Sequence, residues 1–523
     1  MRRPSVPATA AATVAWLVVA GLGLAGASAA PPAGRPAVRT EAPVTAVNLV
    51  DAQSNNTPAV AVDPTEPRFV VMANRIDLPA FSCALHVSGD GGRGWLPAQP
   101  VPRLPPGAER CYAPEVAFDA DGVLYYLFVG LRGTANTPMG VYLTTSDDHG
   151  RSFSAPRRLL GKNNFAVRMA IDPTLGDKGR IHLAWLAAGA EPSLGGFPPV
   201  PNPIMAAHSD DGGKTFSTPV QVSDPDRARV VAPALAVGAD HAVHVVYYDL
   251  GADAVDYQGL EGPTWEGNWS LVSSSSTDGG RRFSPGVVVD DAVVPPERVI
   301  LIFTMPAPAL AADGAGRVYV AWYDARNGDW DVFVRRSPDQ GRTWEGPERL
   351  NDDAPGAPAG RHQYLPRLSV APGGRVDAIF YDRRNDPENL RNDVYYAFAP
   401  PGGAFGPNLK VTTHPSSSGI GPRYPIPSAQ GLIEFGSRLG LASTPERAYL
   451  AWTDTRNSLP GEQQDVFAAE VSFVPGGLAA PRGGDRRLAP GVLVAAAGAL
   501  GAAVVVGLAR RRRRHRRRPA GQC

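Results

Sequence analysis

The 523-residue sequence lacks the short motifs that mark most metal, redox and nucleotide sites. It contains no CxxC pair, no HExxH motif and no glycine-rich phosphate loop. Each of these motifs supplies ligands or backbone amides at a fixed spacing, so the sequence carries no signal for zinc, thiol redox or phosphate-binding chemistry. We therefore expect a protein without a metal ion or a cofactor.

Long hydrophobic runs are confined to the two ends of the chain. At the start, two arginines precede the apolar run Val14 to Leu24, and the small residues Ala27 to Ala29 follow it. This order is typical of a secretory signal peptide and predicts cleavage near Ala30. An uncleaved N-terminal anchor, which is the alternative, would need a longer apolar run.

The C-terminal run has the length of a membrane span. The 22 residues from Leu488 to Ala509 carry no charge, and roughly 20 apolar residues span a bilayer. Eight arginines and His515 follow directly, between Arg510 and Arg518. Because positive residues stay on the cytoplasmic side, we expect a single-pass cell-membrane protein with its body outside and its C-terminus in the cytoplasm. The alternative interpretation of the basic run is nucleic-acid binding.

The formal net charge of +1 conceals an acidic body. Arg2, Arg3 and the eight tail arginines all lie in the end segments, and without them the exported part has a net negative charge. An acidic surface repels a phosphate backbone, so we expect no nucleic-acid partner.

The three cysteines divide between the two expected compartments. Cys83 and Cys111 lie in the exported part, each at the border of a predicted strand. An oxidising compartment favours disulfides, so the sequence predicts a bond between these two residues. Cys523 belongs to the cytoplasmic tail and is expected to stay unpaired.

The most informative pattern is an octet, Ser-x-Asp-x-Gly-x-x-aromatic, that recurs five times about 60 residues apart. Its Ser and Asp side chains can accept hydrogen bonds from backbone N–H groups, its Gly can take a positive φ, and its aromatic ring can fold back over the turn. The spacing therefore predicts a tight hairpin. The copies begin at Ser88, Ser146, Ser209, Ser276 and Ser337 and end at Trp95, Phe153, Phe216, Phe283 and Trp344.

This octet resembles the Asp-box, or bacterial neuraminidase repeat, of sialidase-like β-propellers. The resemblance covers nearly all of the chain between the two hydrophobic ends, and it implies an all-β propeller. The Asp-box is a structural device, so it indicates a fold and not a reaction.

Counting the innermost strands predicts seven blades, with six as the alternative. These strands begin near residues 58, 114, 167, 233, 308, 366 and 437. The seventh unit ends after its third strand, and we expect residues 44–49 to supply the missing fourth strand and close the ring. The predicted segments are a signal peptide (1–30), a lead-in (31–43), the propeller (44–475), a stalk (476–487), a transmembrane helix (488–509) and a basic tail (510–523).

Charged residues occupy positions on the innermost strands where packing at the propeller axis favours alanine. The slot after the usual Pro holds alanine in three units and a charged residue in the other four, namely Glu115, Arg168, Arg367 and Arg438. Because the octets join strands three and four, the starts of the innermost strands share the opposite face. Buried charges need partners, so these residues either pair with one another or bind an anionic ligand.

The same face should hold the loops between strands two and three. Three of these loops repeat Asp-x-Arg-Asn, starting at Asp324, Asp382 and Asp454, and internal salt bridges are the favoured interpretation over catalysis. A long loop over residues 250–270 carries acids and aromatics, including Trp265 and Trp269, which suit sugar binding.

The resemblance to sialidases also implies roles for individual residues. That family holds a carboxylate with three arginines, uses a Tyr–Glu pair as nucleophile and an Asp as acid/base. At the slot of the family's first arginine this chain has Asn56. Carried over, the resemblance assigns the clamp to Arg168, Arg367 and Arg438, the nucleophile pair to Tyr364 or Tyr112 with Glu115 or Glu434, and the acid to Asp77.

Three functions follow from these patterns. The first is a monomeric, membrane-anchored propeller that binds a glycan or a cell-surface protein without turnover, with Tyr112, Trp265 and Trp269 among its binding residues. The second is an exo-sialidase-type glycoside hydrolase. The third is a scaffold or assembly factor. An arginine cluster beside a Tyr–Glu pair would favour the hydrolase, whereas internally neutralised arginines would favour the binder.

Overall fold

The computed structural model describes twelve stretches of the chain. They are residues 37–43, 53–96, 99–100, 103–134, 136–175, 179–188, 201–253, 265–295, 306–354, 361–422, 435–458 and 463–473. The expected signal peptide, stalk, transmembrane segment and tail lie outside them, as does Glu434. None of the helices in the described part is long and apolar enough to cross a membrane.

The described strands form seven antiparallel sheets, six of four strands and one of five, which confirms the predicted seven-bladed propeller. Blade 1 contains β2 (Asn55–Val62), β3 (Val70–Ile76), β4 (Ser82–Ser88) and β5 (Gln99–Pro100). Blade 2 contains β6 (Arg110–Phe118), β7 (Leu124–Arg132), β8 (Thr137–Ser146) and β9 (Arg157–Leu160). Blade 3 contains β10 (Asn164–Asp172), β11 (Arg180–Ala187), β12 (Ile204–Ser209) and β13 (Val220–Gln221).

The remaining blades follow the same order. Blade 4 contains β14 (Val230–Val237), β15 (Val243–Asp249), β16 (Trp269–Ser276) and β17 (Val287–Val293), with a 3₁₀ turn at Ala239–His241. Blade 5 contains β18 (Ala309–Ala312), β19 (Val318–Asp324), β20 (Asp331–Ser337) and β21 (Glu345–Arg349). Blade 6 contains β22 (Gln363–Val370), β23 (Val376–Asp382), β24 (Arg391–Ala399) and β25 (Leu409–Lys410), and β26 (Ser416–Ser417) also pairs with β24. Blade 7 contains β27 (Gly440–Ser443), β28 (Arg447–Asp454), β29 (Asp465–Ser472) and β1 (Ala37–Pro43).

The ring closes through the N-terminal strand, as predicted, but with different residues. β1 pairs antiparallel with β29, from Ala37 opposite Ser472 to Pro43 opposite Phe467. Residues 44–49, which were predicted to form this strand, lie outside the described residues, and residues 37–43 pair with β29. The outermost strand of a blade is held by backbone hydrogen bonds and can have polar side chains.

The hydrophobic core lies between neighbouring blades and not within any one of them. Successive inner strands contact each other around the whole ring, and β2 contacts both β6 and β27. Three fully buried tryptophans, Trp185, Trp322 and Trp452, fill the space between sheets. A disulfide joins Cys83 on β4 to Cys111 on β6, and so links blades 1 and 2.

The five octets form the same hydrogen-bonded turn. In each copy the Ser hydroxyl donates to the Asp carboxylate at 2.8 Å and accepts from the Gly backbone N–H at 2.8–2.9 Å. The Gly φ is between 74° and 88°. At Gly150 a Cβ would lie 2.7 Å from Leu85, so this turn packs tightly on the preceding blade. The turn geometry expected from the residues is therefore observed.

Substitution of one octet serine tests how much its hydrogen bonds stabilise the turn. Ser276 is buried and makes both hydrogen bonds of its turn, so Ser276→Ala leaves the Gly280 N–H without its acceptor. We expect the free energy of unfolding to fall by about 1–2 kcal/mol in urea denaturation. The neighbouring Thr277 is exposed, and Thr277→Ala should change the free energy of unfolding by less than about 0.5 kcal/mol. Equal effects of the two substitutions would contradict the proposed role of the serine.

Most inner strands contain a bulge just before the axial slot. The bulged residue has a φ of 48–55°, a left-handed conformation that costs an L-residue about 1–2 kcal/mol. The pairing register with the second strand shifts at the same place, which turns the following side chain towards the axis. The bulged residues are Thr57, Ala113, Ala166, Ala232 and Leu365.

Candidate functional site

Four charged residues meet at the propeller axis, and we call them the axial cluster: Glu115, Arg168, Arg367 and Arg438. They come from β6, β10, β22 and the residues just before β27. All four line one cavity of about 60 Å³. The alanines that hold the same slot in blades 4 and 5 line it as well, so the sequence correctly identified equivalent positions.

Two of the arginines share the single carboxylate. The Arg168 Nη1 donates to Glu115 Oε1 at 2.9 Å, and the Arg438 Nη1 donates to the same oxygen. Arg438 also donates to the backbone carbonyls of Pro114 and, at 3.3 Å, of Pro58. These contacts join blades 1, 2, 3 and 7 at the axis.

The third arginine is different. Within the described part of the chain, Arg367 forms no hydrogen bond and no ion pair, and its Nε is buried. Its guanidinium is nonetheless close enough to Glu115 and Arg168 to influence their electrostatic environment. The axial cluster therefore has one carboxylate for three guanidinium groups, and one of the three is available to a ligand.

The ionisation of the cluster reflects this imbalance. Burial would raise the pKa of Glu115, but the guanidinium groups of Arg438, Arg168 and Arg367 hold it below its ordinary value. Burial lowers the pKa of Arg438 to about 10 and also lowers that of Arg367. A bound anion would raise the pKa of both arginines again, because an opposite charge stabilises a buried cation.

The cavity fits a small charged group better than a whole sugar. A cavity needs roughly 10–15 Å³ to hold one water molecule, so about 60 Å³ suits a few waters or one carboxylate or sulfate group. Pockets that enclose a complete small-molecule ligand are typically about 300–1,000 Å³.

No tyrosine hydroxyl forms a hydrogen bond with Glu115 among the described residues. The Glu115 side chain forms its hydrogen bonds there with Arg168 and Arg438. The Tyr364 hydroxyl donates to Asn392 Oδ1 at 2.8 Å, on the far strand of blade 6. The Tyr112 hydroxyl accepts from Arg75 Nη1 at 2.8 Å. The nucleophile pairs suggested with Glu115 are therefore not formed, and the pairs with Glu434 lie outside the described residues.

Asp77, the suggested acid, is held in a buried ion pair. Arg75 donates to its two carboxylate oxygens at 2.6 and 2.8 Å, and Asn56 Nδ2 donates to it at 2.9 Å. A carboxylate that accepts these charge-assisted hydrogen bonds is stabilised in its ionised form, which does not donate a proton. Arg75 was not predicted as the partner of Asp77, although two residues separated by one position near the end of a strand can share a face.

The three Asp-x-Arg loops contain internal ion pairs. Arg326, Arg384 and Arg456 each lie 2.6–2.7 Å from the aspartate two residues earlier. Each guanidinium also stacks at 4.3–4.6 Å on an aromatic ring of the next strand. These contacts match the structural interpretation of the repeat.

The two predicted sugar-binding tryptophans lie in different environments. Trp269 is the first residue of β16 and not part of a loop; it is 3% exposed, and its indole N–H donates to Asp253 Oδ2 at 2.9 Å. The expectation that it contacts a ligand was wrong, because its ring packs in the core of blades 4 and 5. Trp265 remains partly exposed.

No group of three or more His, Cys, Asp or Glu side chains suited to a metal ion occurs among the described residues.

The hydrogen bonds of Tyr364 with Asn392 and Arg383 were not predicted from the sequence. Their contacts cross between strands and leave no local pattern.

Comparisons with known proteins give no family. No family model matches the chain, and no curated protein matches it. Among solved structures, a protein of unknown function from Dyadobacter fermentans DSM 18053 is 12% identical, with 84% of this chain and 99% of that chain covered and a TM-score of 0.48. An α-L-arabinanase of Penicillium chrysogenum, in complex with arabinobiose, is 14% identical over 71% of this chain and 96% of its own, with a TM-score of 0.42. The NanB sialidase of Streptococcus pneumoniae is 11% identical over 66% and 68% of the two chains, with a TM-score of 0.42.

Proposed function

We propose that this protein is a membrane-anchored propeller outside the cytoplasm that binds an acidic glycan or an acidic surface partner without hydrolysing it. The observation that carries the proposal is the axial cluster, in which, among the described residues, two arginines share the Glu115 carboxylate and Arg367 forms no hydrogen bond or ion pair. A carboxylate or sulfate of the ligand would enter the axial cavity. A guanidinium can bind such a group through two parallel hydrogen bonds.

The contacts of the candidate catalytic groups support binding without turnover. A tyrosine nucleophile needs a neighbouring carboxylate to take its proton, because its unperturbed pKa is about 10. Glu115 is bonded to two arginines instead. Asp77 is ion-paired and cannot supply the proton that a leaving group needs.

The location is inferred from the sequence. The signal-like residues 1–30 support export, and the apolar 22-mer with its arginine tail supports an anchor. An anchored propeller would meet polysaccharides and proteins at the cell's own surface.

The first test measures binding and hydrolysis on the same purified full chain. We expect sialyllactose or hyaluronan to bind and lactose not to bind in isothermal titration calorimetry, because only the first two have a carboxylate. Arg367→Gln should weaken this binding at least tenfold. A fluorogenic sialoside should give no product.

Arg282→Gln provides the matched control. Arg282 lies in the repeated turn of blade 4 with a side chain that is 89% exposed, so its loss should leave affinity and stability unchanged. Equal binding of sialyllactose and lactose would reject the anion-binding role. Sialoside hydrolysis that is abolished by Arg367→Gln would instead establish the hydrolase.

A further inference from the structure

A second cavity lies at the boundary between blades 2 and 3, and we call it the basic groove. Its volume is about 310 Å³, at the lower end of the range for pockets that enclose small-molecule ligands. Leu159, Leu160 and Phe216 contribute partly exposed apolar surface, and Arg157, Arg158 and Lys214 contribute positive charge. None of its lining residues lines the axial cavity.

Among the described residues, the three cations of the groove have no acidic partner. No carboxylate oxygen there lies within 4.0 Å of their charged atoms, and no acidic residue lines the groove. Arg158 Nε donates at 3.4 Å to the carbonyl of Leu160, whereas Arg157 and Lys214 make no side-chain hydrogen bond in the described part of the chain. No ion pair with a described residue therefore neutralises these cations.

At two other blade boundaries an arginine is paired with a glutamate. Between blades 5 and 6, Arg336 pairs with Glu345 at 3.2 Å and with Glu348 at 2.6 Å, and the cavity there is only about 10 Å³.

The boundary between blades 7 and 1 is similar. Glu470 lines a cavity of about 10 Å³ and pairs with Arg447 at 3.3 Å. The boundary between blades 2 and 3 thus differs in two independent ways, since it is open and it lacks a carboxylate.

We propose that the basic groove binds an organic carboxylate with an apolar body. The carboxylate would take the place of the glutamates at the boundaries between blades 5 and 6 and between blades 7 and 1, and would form charge-assisted hydrogen bonds with Arg157, Arg158 or Lys214. The apolar body would cover Leu159, Leu160 and Phe216, which line the groove and are partly exposed. This site is separate from the axial cluster and does not depend on the function proposed for it.

Binding of 4-phenylbutyrate to the full chain tests the proposal. The neutral 4-phenylbutanamide lacks the charge and acetate lacks the apolar body. We expect saturable binding of 4-phenylbutyrate, at least tenfold tighter than either comparison compound, in calorimetry or ligand-observed NMR. Affinity should fall as ionic strength rises.

Lys214→Glu places a carboxylate in the groove, as Glu348 does between blades 5 and 6. It should weaken 4-phenylbutyrate binding at least tenfold. Arg282→Glu is the control, because this exposed cation occupies a repeated turn in blade 4, away from the groove. Binding that is equal for the acid and the amide, equal for the acid and acetate, or unchanged by Lys214→Glu would overturn the proposal.

A measurement without substitutions keeps the result independent of any folding defect. A benzophenone carboxylate that is photo-crosslinked to the unmodified full chain should label peptides containing residues 157–160 or 214–219. Excess 4-phenylbutyrate should suppress this labelling. Labelling confined to other peptides would also overturn the proposal, while leaving the axial cluster's function untouched.

Discussion

Replacement of Glu115 by Gln is expected to lower the free energy of unfolding by about 3–5 kcal/mol. The side chain is 11% exposed and is the acceptor for both Arg168 and Arg438. Gln keeps the shape but removes the charge, which leaves three buried or partly buried guanidinium groups without a counter-charge. Urea denaturation at pH 7 measures the effect, since urea does not screen charges as guanidinium chloride would.

Two further measurements separate lost charge from altered packing. Adding sulfate should stabilise Glu115→Gln more than the unsubstituted protein, because the anion can replace the carboxylate at the axis. The double variant Glu115→Gln/Arg168→Gln should regain part of the lost stability, because it removes one unpaired cation. A loss below about 1 kcal/mol, or no specific effect of sulfate, would mean that the arginines do not depend on Glu115.

The same substitution links stability to the proposed function. Glu115 competes with a ligand anion for the guanidinium groups of Arg168 and Arg438. Its removal should therefore raise the affinity for acidic glycans while it lowers stability. Proteins often lose stability where they gain affinity or activity, and here a single carboxylate, Glu115, would control both the affinity and the free energy of unfolding.

The repeats explain why the fold could be predicted from sequence. Each of the five octets fixes one hairpin, and strands at regular spacing around it define a blade. The innermost strand recurs seven times, so counting these strands predicts seven blades. The closing strand could not be placed in the same way. Residues 37–43 are held by pairing with β29, and backbone hydrogen bonding leaves little trace in side-chain hydrophobicity.

The axial cluster was predictable for a related reason. Equivalent positions in a closed ring converge on the axis, so four charges in one slot had to meet. Their partners were less predictable, because Glu115 and Arg438 are 323 residues apart and the choice among three arginines depends on geometry. The bulges were also missed, because a residue before proline, such as Ala113, is normally extended and here has a φ of 49°.

The basic groove had no sequence signal. Arg157 and Arg158 resemble ordinary surface charges on an outer strand, and Lys214 is a variable position within an octet. Their proposed role depends on the lack, among the described residues, of a glutamate like those at the boundaries between blades 5 and 6 and between blades 7 and 1. A missing partner is visible only when the blades are superimposed in space.

Buried histidines should make the propeller sensitive to mild acid. His86, His182 and His244 are 0–2% exposed, and burial lowers the pKa of each to about 4. The unfolded chain takes up these protons near pH 6.5, but the folded chain does so only near pH 4. Their contribution to stability is therefore complete above about pH 6.5 and falls as the pH drops towards 4. At pH 5 the loss is about 2 kcal/mol per histidine.

The carboxylates change the free energy of unfolding mainly below about pH 4, or they change it in the direction opposite to the histidines. The turn aspartates Asp148, Asp211 and Asp278 have pKa values held below the ordinary range by their hydrogen bonds, even where burial opposes it, so their contribution is lost only below about pH 4. Burial raises the pKa values of Asp324 and Asp382, which take up protons earlier in the folded state and offset part of the loss.

A single substitution isolates the histidine contribution. In urea denaturation at pH 7 and pH 5, His244→Gln should reduce the difference between the two free energies of unfolding by about 2 kcal/mol, whatever it does to stability at pH 7. His244 shares a 2.8 Å hydrogen bond with Ser275, which Gln can maintain. His414 is exposed, and His414→Gln should leave the difference unchanged. If the two substitutions alter the pH dependence equally, burial of His244 is not its cause, and the acid sensitivity would have to come from the carboxylates instead.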